Sequence, residues 1–157
     1  MDPDTIVGRG CWRIVLEDED RDGNGGEEAI DPWWIPEEEK REYAKGVFEI
    51  WAEVKGRGRG AHCAVEVIFT SPSHRRLGIG SLILSWGTQK ADELGLDCYV
   101  EGSQTGVPLY TKHGFKKIRD VEVKPYKEEH LKSEEWKKFD EELVEVLTVM
   151  RRPCRRV

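Results

Sequence analysis

The 157-residue chain has little that is continuous and apolar: no run approaches the roughly 18 residues that a membrane span needs. Its opening, MDPDTIVGRG, lacks the basic start and apolar centre of a secretory signal. Both absences lead us to expect a soluble protein of the cytoplasm with no membrane partner. Cysteine is sparse and scattered: Cys11, Cys63, Cys98 and Cys154 form no CxxC pair, and no histidine stands at metal-ligand spacing beside them. Disulfides and a metal site are therefore not expected, and the thiols read as reduced packing residues. Basic charge is in deficit, with 25 Lys and Arg against 31 Asp and Glu and a formal net charge of -6. That balance argues against a general nucleic-acid binder and leans towards cationic partners. There is no internal repeat. GxxxxGK followed by Ser or Thr is absent, and the dinucleotide pattern GxGxxG fails where Ile83 takes the place of its third glycine.

What is present alternates between strand and helix. IVGRGCWRIVL (6–16) reads as a strand or hairpin edge, and EDEDRDGNGGEE (17–28) as a solvated loop. Pro36 followed by EEEK suits a helix start, and Ala44, Val47, Phe48 and Trp51 recur with helical spacing, which predicts a helix over 36–54. KGRGRG ends it. AHCAVEVIFT is a buried strand with one internal acid, Glu66, and SLILSWGTQKADEL is a helix with Leu82, Ile83, Trp86 and Leu94 on its apolar face and Gly95 as terminator. LDCYV is another strand. A short helix ending at His113, a strand in FKKIRDVEVKPY, a short helix carrying Trp136, Phe139 and Leu143, and a final strand LVEVLTVMRR complete the order. The expectation is one domain over 1–157 with a mixed α/β fold.

SPSHRRLGIGS (71–81) lies between a buried strand and a helix N-terminus. Unpaired N–H groups, the positive end of a helix dipole and glycines that let an anion approach make this a phosphate cradle. A tight turn with solvated arginines is the plainer reading of the same residues. The wider pattern separates them. Arg75-Arg76-Leu77-Gly78-Ile79-Gly80 resembles the acetyl-CoA loop of the GNAT (Gcn5-related N-acetyltransferase) superfamily, and LYTKHGF (109–115) resembles its Leu-Tyr-x-x-x-Gly-Phe segment at the expected separation. The stretch WGTQKADELGLDCYVEGSQTGVPLYTKHGF is similar to fungal small GNAT-type acetyltransferases.

The resemblance implies a mostly antiparallel sheet with one splayed parallel strand pair, flanked by helices. It implies an acetyl-CoA-binding core over 61–123, after a short, divergent part at 1–60. The backbone of Ile68, Phe69 and Thr70 would meet the pantetheine amides. Backbone amides from Arg76, Leu77, Gly78, Ile79, Gly80 and Ser81 would hold the pyrophosphate, with Arg75 in the motif's Gln/Arg place. Leu77 stands where the family often has a cation, and Ser103 where many members have an Asn on the pantetheine arm. The implied reaction is direct acetyl transfer from acetyl-CoA, the co-substrate, to an amine. A small cationic acceptor fits the acidic chain.

In that reaction a thiolate departs, and Tyr110 matches the family's general acid. Its plainer reading is a core aromatic. An amine with a pKa near 10.4 is neutral in roughly one molecule in a few thousand at pH 7, so a carboxylate base is expected. Glu66, inside an apolar strand, is the first candidate and Glu101 the second, and either also reads as a salt-bridged residue. Trp33-Trp34 reads as a core cap more readily than as an acceptor pocket, KGRGRG as a loop rather than an RNA contact, and RRPCRRV as a frayed basic tail. With about 60 residues before the motif strand, the acceptor site is open, completed by a second subunit in a homodimer, or lost. A loss of catalysis would leave an acyl-CoA-binding sensor or interaction module.

Overall fold

The computed structural model of the protein describes residues 6–16, 30–55 and 59–155; the acidic loop expected over 17–28 and part of KGRGRG lie outside them. The elements are β1 (Gly8–Val15), α1 (Glu38–Lys55), β2 (His62–Thr70), α2 (Ile79–Leu94), β3 (Asp97–Ser103), α3 (Val107–Lys112), β4 (Lys116–Val123), α4 (Glu134–Glu142) and β5 (Glu145–Arg152). They form a five-stranded sheet in the order β1-β2-β3-β5-β4. Every pairing is antiparallel except β2 with β3. Among the described residues no helix is long and apolar enough to cross a membrane.

Local sequence sets the helix ends. Glu38 and Glu39 occupy the first turn of α1, where the helix dipole favours acids, and the Arg41 Nε donates back to the Ile35 carbonyl at 2.7 Å. α2 ends where Gly95 adopts φ 69, its N–H reaching the carbonyls of Ala91 and Asp92. The Ser133 hydroxyl caps α4 by accepting the Trp136 N–H at 3.0 Å.

α2 lies close on the β1–β2 hairpin-like pair because small residues face it. A Cβ on Gly87 would sit 2.0 Å from Trp12 Cε2, and one on Gly10 would sit 2.3 Å from Ile83 Cγ2. The buried face of α2 is accordingly Leu84, Gly87, Thr88 and Ala91. This corrects the face expected from hydropathy: Leu82, Trp86 and Leu94 are exposed, because only small side chains fit under the Trp12 ring. Thr88 is tolerated there because its hydroxyl donates to the Leu84 carbonyl at 2.8 Å. Leu84, Ala91, Cys98, Val100, Phe115 and Met150 pack with Tyr110 into the main core.

α1 packs against α4 and the end of β4. Tyr43 meets Trp136 edge-on at 5.0 Å, and Gly46 leaves room for Pro125. Two further expectations fail. Trp33 is 74% and Trp34 53% exposed, and the buried residue of that turn is Pro32, whose ring needs no hydrogen-bonding partner. The basic tail is not frayed where it begins: Arg151 and Arg152 belong to β5, and Arg152 is buried with both Nη atoms on the carboxylate of Asp92, at 2.9 and 2.7 Å.

Candidate active site

The site begins where two strands part. β2 and β3 pair through only four rungs, from His62↔Asp97 to Val65↔Val100. Beyond that, among the described residues, β2 pairs only with β1 and β3 only with β5, so their facing edges carry backbone N–H and C=O groups without a sheet partner there. The cause is local. β1 partners step from Cys11↔Val67 to Trp12↔Val65, which leaves Glu66 as an extra residue on β2. A bulge of this kind bends the strand away from its neighbour. The single acid in an apolar run is thus the bulged residue, and Glu66 and Glu101 are the first residues past the last paired rung on either side of the gap.

At the wide end of the gap lies the loop into α2. Pro72–His74 forms one 3-10 turn, after which Arg76 takes φ 67 and Gly78 φ 85. The Arg75 N–H donates to the Pro72 carbonyl, and the first helical bond runs from the Leu82 N–H to the Gly78 carbonyl. Between them, the N–H groups of Arg76, Leu77, Gly78, Ile79, Gly80 and Ser81 have no acceptor among the described residues. Gly78 caps the helix without a side-chain acceptor. The result is a concave set of donors at the positive end of a 16-residue helix. Arg75 and Arg76 are exposed beside it and form no ion pair among the described residues. An anion such as a diphosphate fits this donor set, and an extended amide-bearing chain fits the unpartnered edges of the gap.

Tyr110 approaches the gap from the α2 side of the sheet. Its ring lies over backbone kept bare by glycine: a Cβ on Gly102 would meet Tyr110 Cε2 at 2.8 Å and one on Gly106 at 2.9 Å. Burial pushes the phenol pKa up, and the negative charge of Glu101 pushes it further, so the hydroxyl is held protonated. Phe115 braces the ring at 5.8 Å.

The two carboxylates are reached from the other side by cations. Lys55, at the end of α1, sets its Nζ 2.7 Å from Glu66 Oε2, and Arg13 of β1 sets its Nε 3.0 Å from Glu66 Oε1. Burial works to raise the Glu66 pKa, but the two cations outweigh it and hold the carboxyl below its usual range. Arg59 binds Glu101 at 2.7 Å, donates to the Val54 carbonyl at 2.8 Å, and stacks 4.6 Å over the Tyr99 ring. Both members of that pair are 11% exposed in their side chains. Sequence reasoning missed Arg13, Lys55 and Arg59, since nothing in their spacing ties them to acids up to 53 residues away.

Ile68, Phe69 and Thr70 lie on the open half of β2, and Ser103 ends the open half of β3, its hydroxyl 3.1 Å from that of Thr105. The described residues thus bring the expected loop, strand edges, tyrosine and carboxylates around one gap. A separate polar cavity of about 470 Å³, lined by Asp92, Lys112, His113 and Arg152, lies towards the other end of α2.

The family model of the acetyltransferase (GNAT) domain matches residues 4–117. The chain is 28% identical over 101 residues to "Probable acyltransferase SID5" of Ajellomyces capsulatus, covering 64% of this chain and 69% of that protein. Its fold is similar to Chaetomium thermophilum Naa20 in complex with a bisubstrate analogue, with TM-score 0.54 and 18% identity over 96% of this chain. It is also similar to mosquito arylalkylamine N-acetyltransferase like 5b, with TM-score 0.60 and 15% identity, covering 94% of this chain and 68% of that one. The chain spans 61% of the Naa20 chain, less than two thirds of its length. The family model and the splayed, mixed sheet agree: this chain belongs to the GNAT acetyltransferase family, a family of acyltransferase enzymes.

Proposed function

We propose that the protein transfers the acetyl group of acetyl-CoA directly to an amine, and that the acceptor is small and cationic. The observation that carries the donor is the run of N–H groups from Arg76 to Ser81 that have no acceptor among the described residues, at the end of β2 where it has parted from β3. Those amides would bind the pyrophosphate, and the free edges of Glu66–Thr70 and Glu101–Ser103 would align the pantetheine arm. Bound acetyl-CoA supplies a thioester carbonyl and a thiolate leaving group. Tyr110, kept protonated by burial and by Glu101, donates its hydroxyl proton towards the departing sulfur. The acidic balance of the chain favours a cationic acceptor.

A second reading is supported by the ion pairs at those carboxylates. Glu66 and Glu101 are both engaged by cations of the chain itself, and Glu66, its pKa held down by Lys55 and Arg13 against burial, is a weak base. On that reading the domain binds acyl-CoA without turning it over. One experiment separates the two: thermal stabilisation by acetyl-CoA, together with thiol release across an amine panel from pH 7 to 9. Stabilisation with release supports the transferase, stabilisation without release supports the binding module, and no stabilisation removes both.

A further inference from the structure

An amine of the chain itself stands at the throat of the gap. Lys55 Nζ lies 2.7 Å from Glu66 Oε2, and Glu66 is the bulged residue at which β2 leaves β3. The Lys55 side chain is 20% exposed and Glu66 17%, so the pair is partly withdrawn from water while still reachable. α1 fixes this position: Val54, one residue earlier, is buried, and its carbonyl receives Arg59, which also holds Glu101 on the other side of the gap. The throat therefore already contains what an acceptor must present, an ammonium on a carboxylate, on the face of the gap opposite Tyr110.

We propose that Lys55 is an acetyl acceptor in cis, so that the protein acetylates its own α1 terminus. This rests on the transferase reading above. The ammonium first loses a proton to solvent through Glu66. The neutral nitrogen then attacks the thioester carbonyl carbon, forming the C–N bond while the C–S bond breaks. The bonding pair leaves on sulfur, which takes the Tyr110 proton, and the nitrogen's second proton restores Tyr110 through solvent. The products are an acetyl-lysine, coenzyme A thiol and one proton released to solvent.

The modification changes the site. An acetylated Lys55 has no charge to offer Glu66, and among the described residues Arg13 remains as a cation on that carboxylate. Burial, which opposes ionisation of Glu66, then meets less resistance, and the carboxyl moves towards the range of a working base. The first turnover would prepare the site for external amines.

The test is to incubate the full chain with acetyl-CoA bearing a deuterated acetyl group and to follow each lysine by peptide mass spectrometry. Lys55 should gain the label about tenfold or more faster than exposed Lys45 and Lys116, with a rate constant independent of protein concentration, because the amine is held in place. The urea-unfolded chain gives the chemical background. Carbon-13 NMR of the Glu carboxyls should show the Glu66 pKa rising on acetylation, a readout separate from turnover, and Lys55→Gln should show the same rise in a folded protein. Labelling of Lys55 no faster than Lys45, or no faster than in the unfolded chain, overturns the proposal. If an external amine still releases thiol under those conditions, the transferase reading stands without it. If acetyl-CoA neither stabilises the protein nor releases thiol, both fall.

Discussion

The two halves of β2 behave as different materials. From His62 to Val65 the strand is buried, paired on both sides and lined by Cys63, Ala64 and Val65. From Glu66 to Thr70 it alternates between half-buried and exposed, and only β1 pairs with it. The closed half is also fastened from outside: Arg151 binds Asp97 at 2.7 and 2.5 Å, the Cys154 N–H donates to the same carboxylate, and Arg152 clamps Asp92 of α2. The open half is held by charge at its first residue, where Lys55 and Arg13 bind Glu66, and beyond it offers hydrogen-bonding groups instead. One strand thus anchors the fold at one end and presents a ligand surface at the other, and a single bulged residue separates the two roles.

This division can be broken from either end. The largest expected effect is at the closed end, where Arg152→Ala leaves the Asp92 carboxylate without its bidentate partner and should cost about 3–5 kcal/mol, read from urea unfolding. Where the folded fraction is kept high, acetyl-CoA affinity should be unchanged. Next is Tyr110→Phe, which keeps the ring packing over Gly102 and should leave the urea midpoint near that of the parent. Thiol release should fall by about a hundredfold with little change in KM for acetyl-CoA. Unchanged turnover would remove the tyrosine from the reaction. Gly78→Ala places a side chain at φ 85, a conformation that costs an L-residue about 1–2 kcal/mol. It should lower both Tm and acetyl-CoA affinity, whereas a Tm change alone would detach the loop from ligand binding.

The smallest effect is a pH dependence shared by both halves. Hydrogen bonds from Arg152 hold the Asp92 pKa below its usual range. At Asp97 burial opposes ionisation, but the Cys154 N–H and Arg151 prevail, and Glu66 is likewise held down by Lys55 and Arg13 against burial. Folded pKa values below unfolded ones stabilise the native state above the unfolded value, about 4, and this stabilisation is lost as pH falls through the folded values. The urea midpoint should therefore be flat from pH 7 to about 5 and fall below about 4. Asp97→Asn should flatten part of that fall, and an unchanged acid slope would show that the Asp97 contacts contribute nothing.

Much of the scaffold was legible in the sequence because the signals were local. Pro36 with its acids, Gly95 after a helical run, and the β-branched AHCAVEVIFT each act within a few residues, and the elements formed within a few residues of where they were expected. The face of α2 was not legible. Hydropathy favours Leu82 and Trp86 as the packed side, yet the helix turns Gly87 inward because Trp12, far away on β1, needs the space. The exposure of Trp33 and Trp34 escaped for the same reason: burial depends on what lies opposite, and the chain order does not say.

By itself the sequence determined the glycine loop before α2, the tyrosine segment, the order of strands and helices, and hence the family. These are matters of backbone conformation and short-range spacing, which neighbouring residues dictate. Only the tertiary structure decided that Glu66 is a bulge, that the β2–β3 pairing stops beside it, and that Arg13, Lys55 and Arg59 reach the two carboxylates at the throat. The physical reason is that an ion pair is a distance in space: charges 11 to 53 residues apart in the chain are unrelated until the sheet and α1 bring them within 3.0 Å.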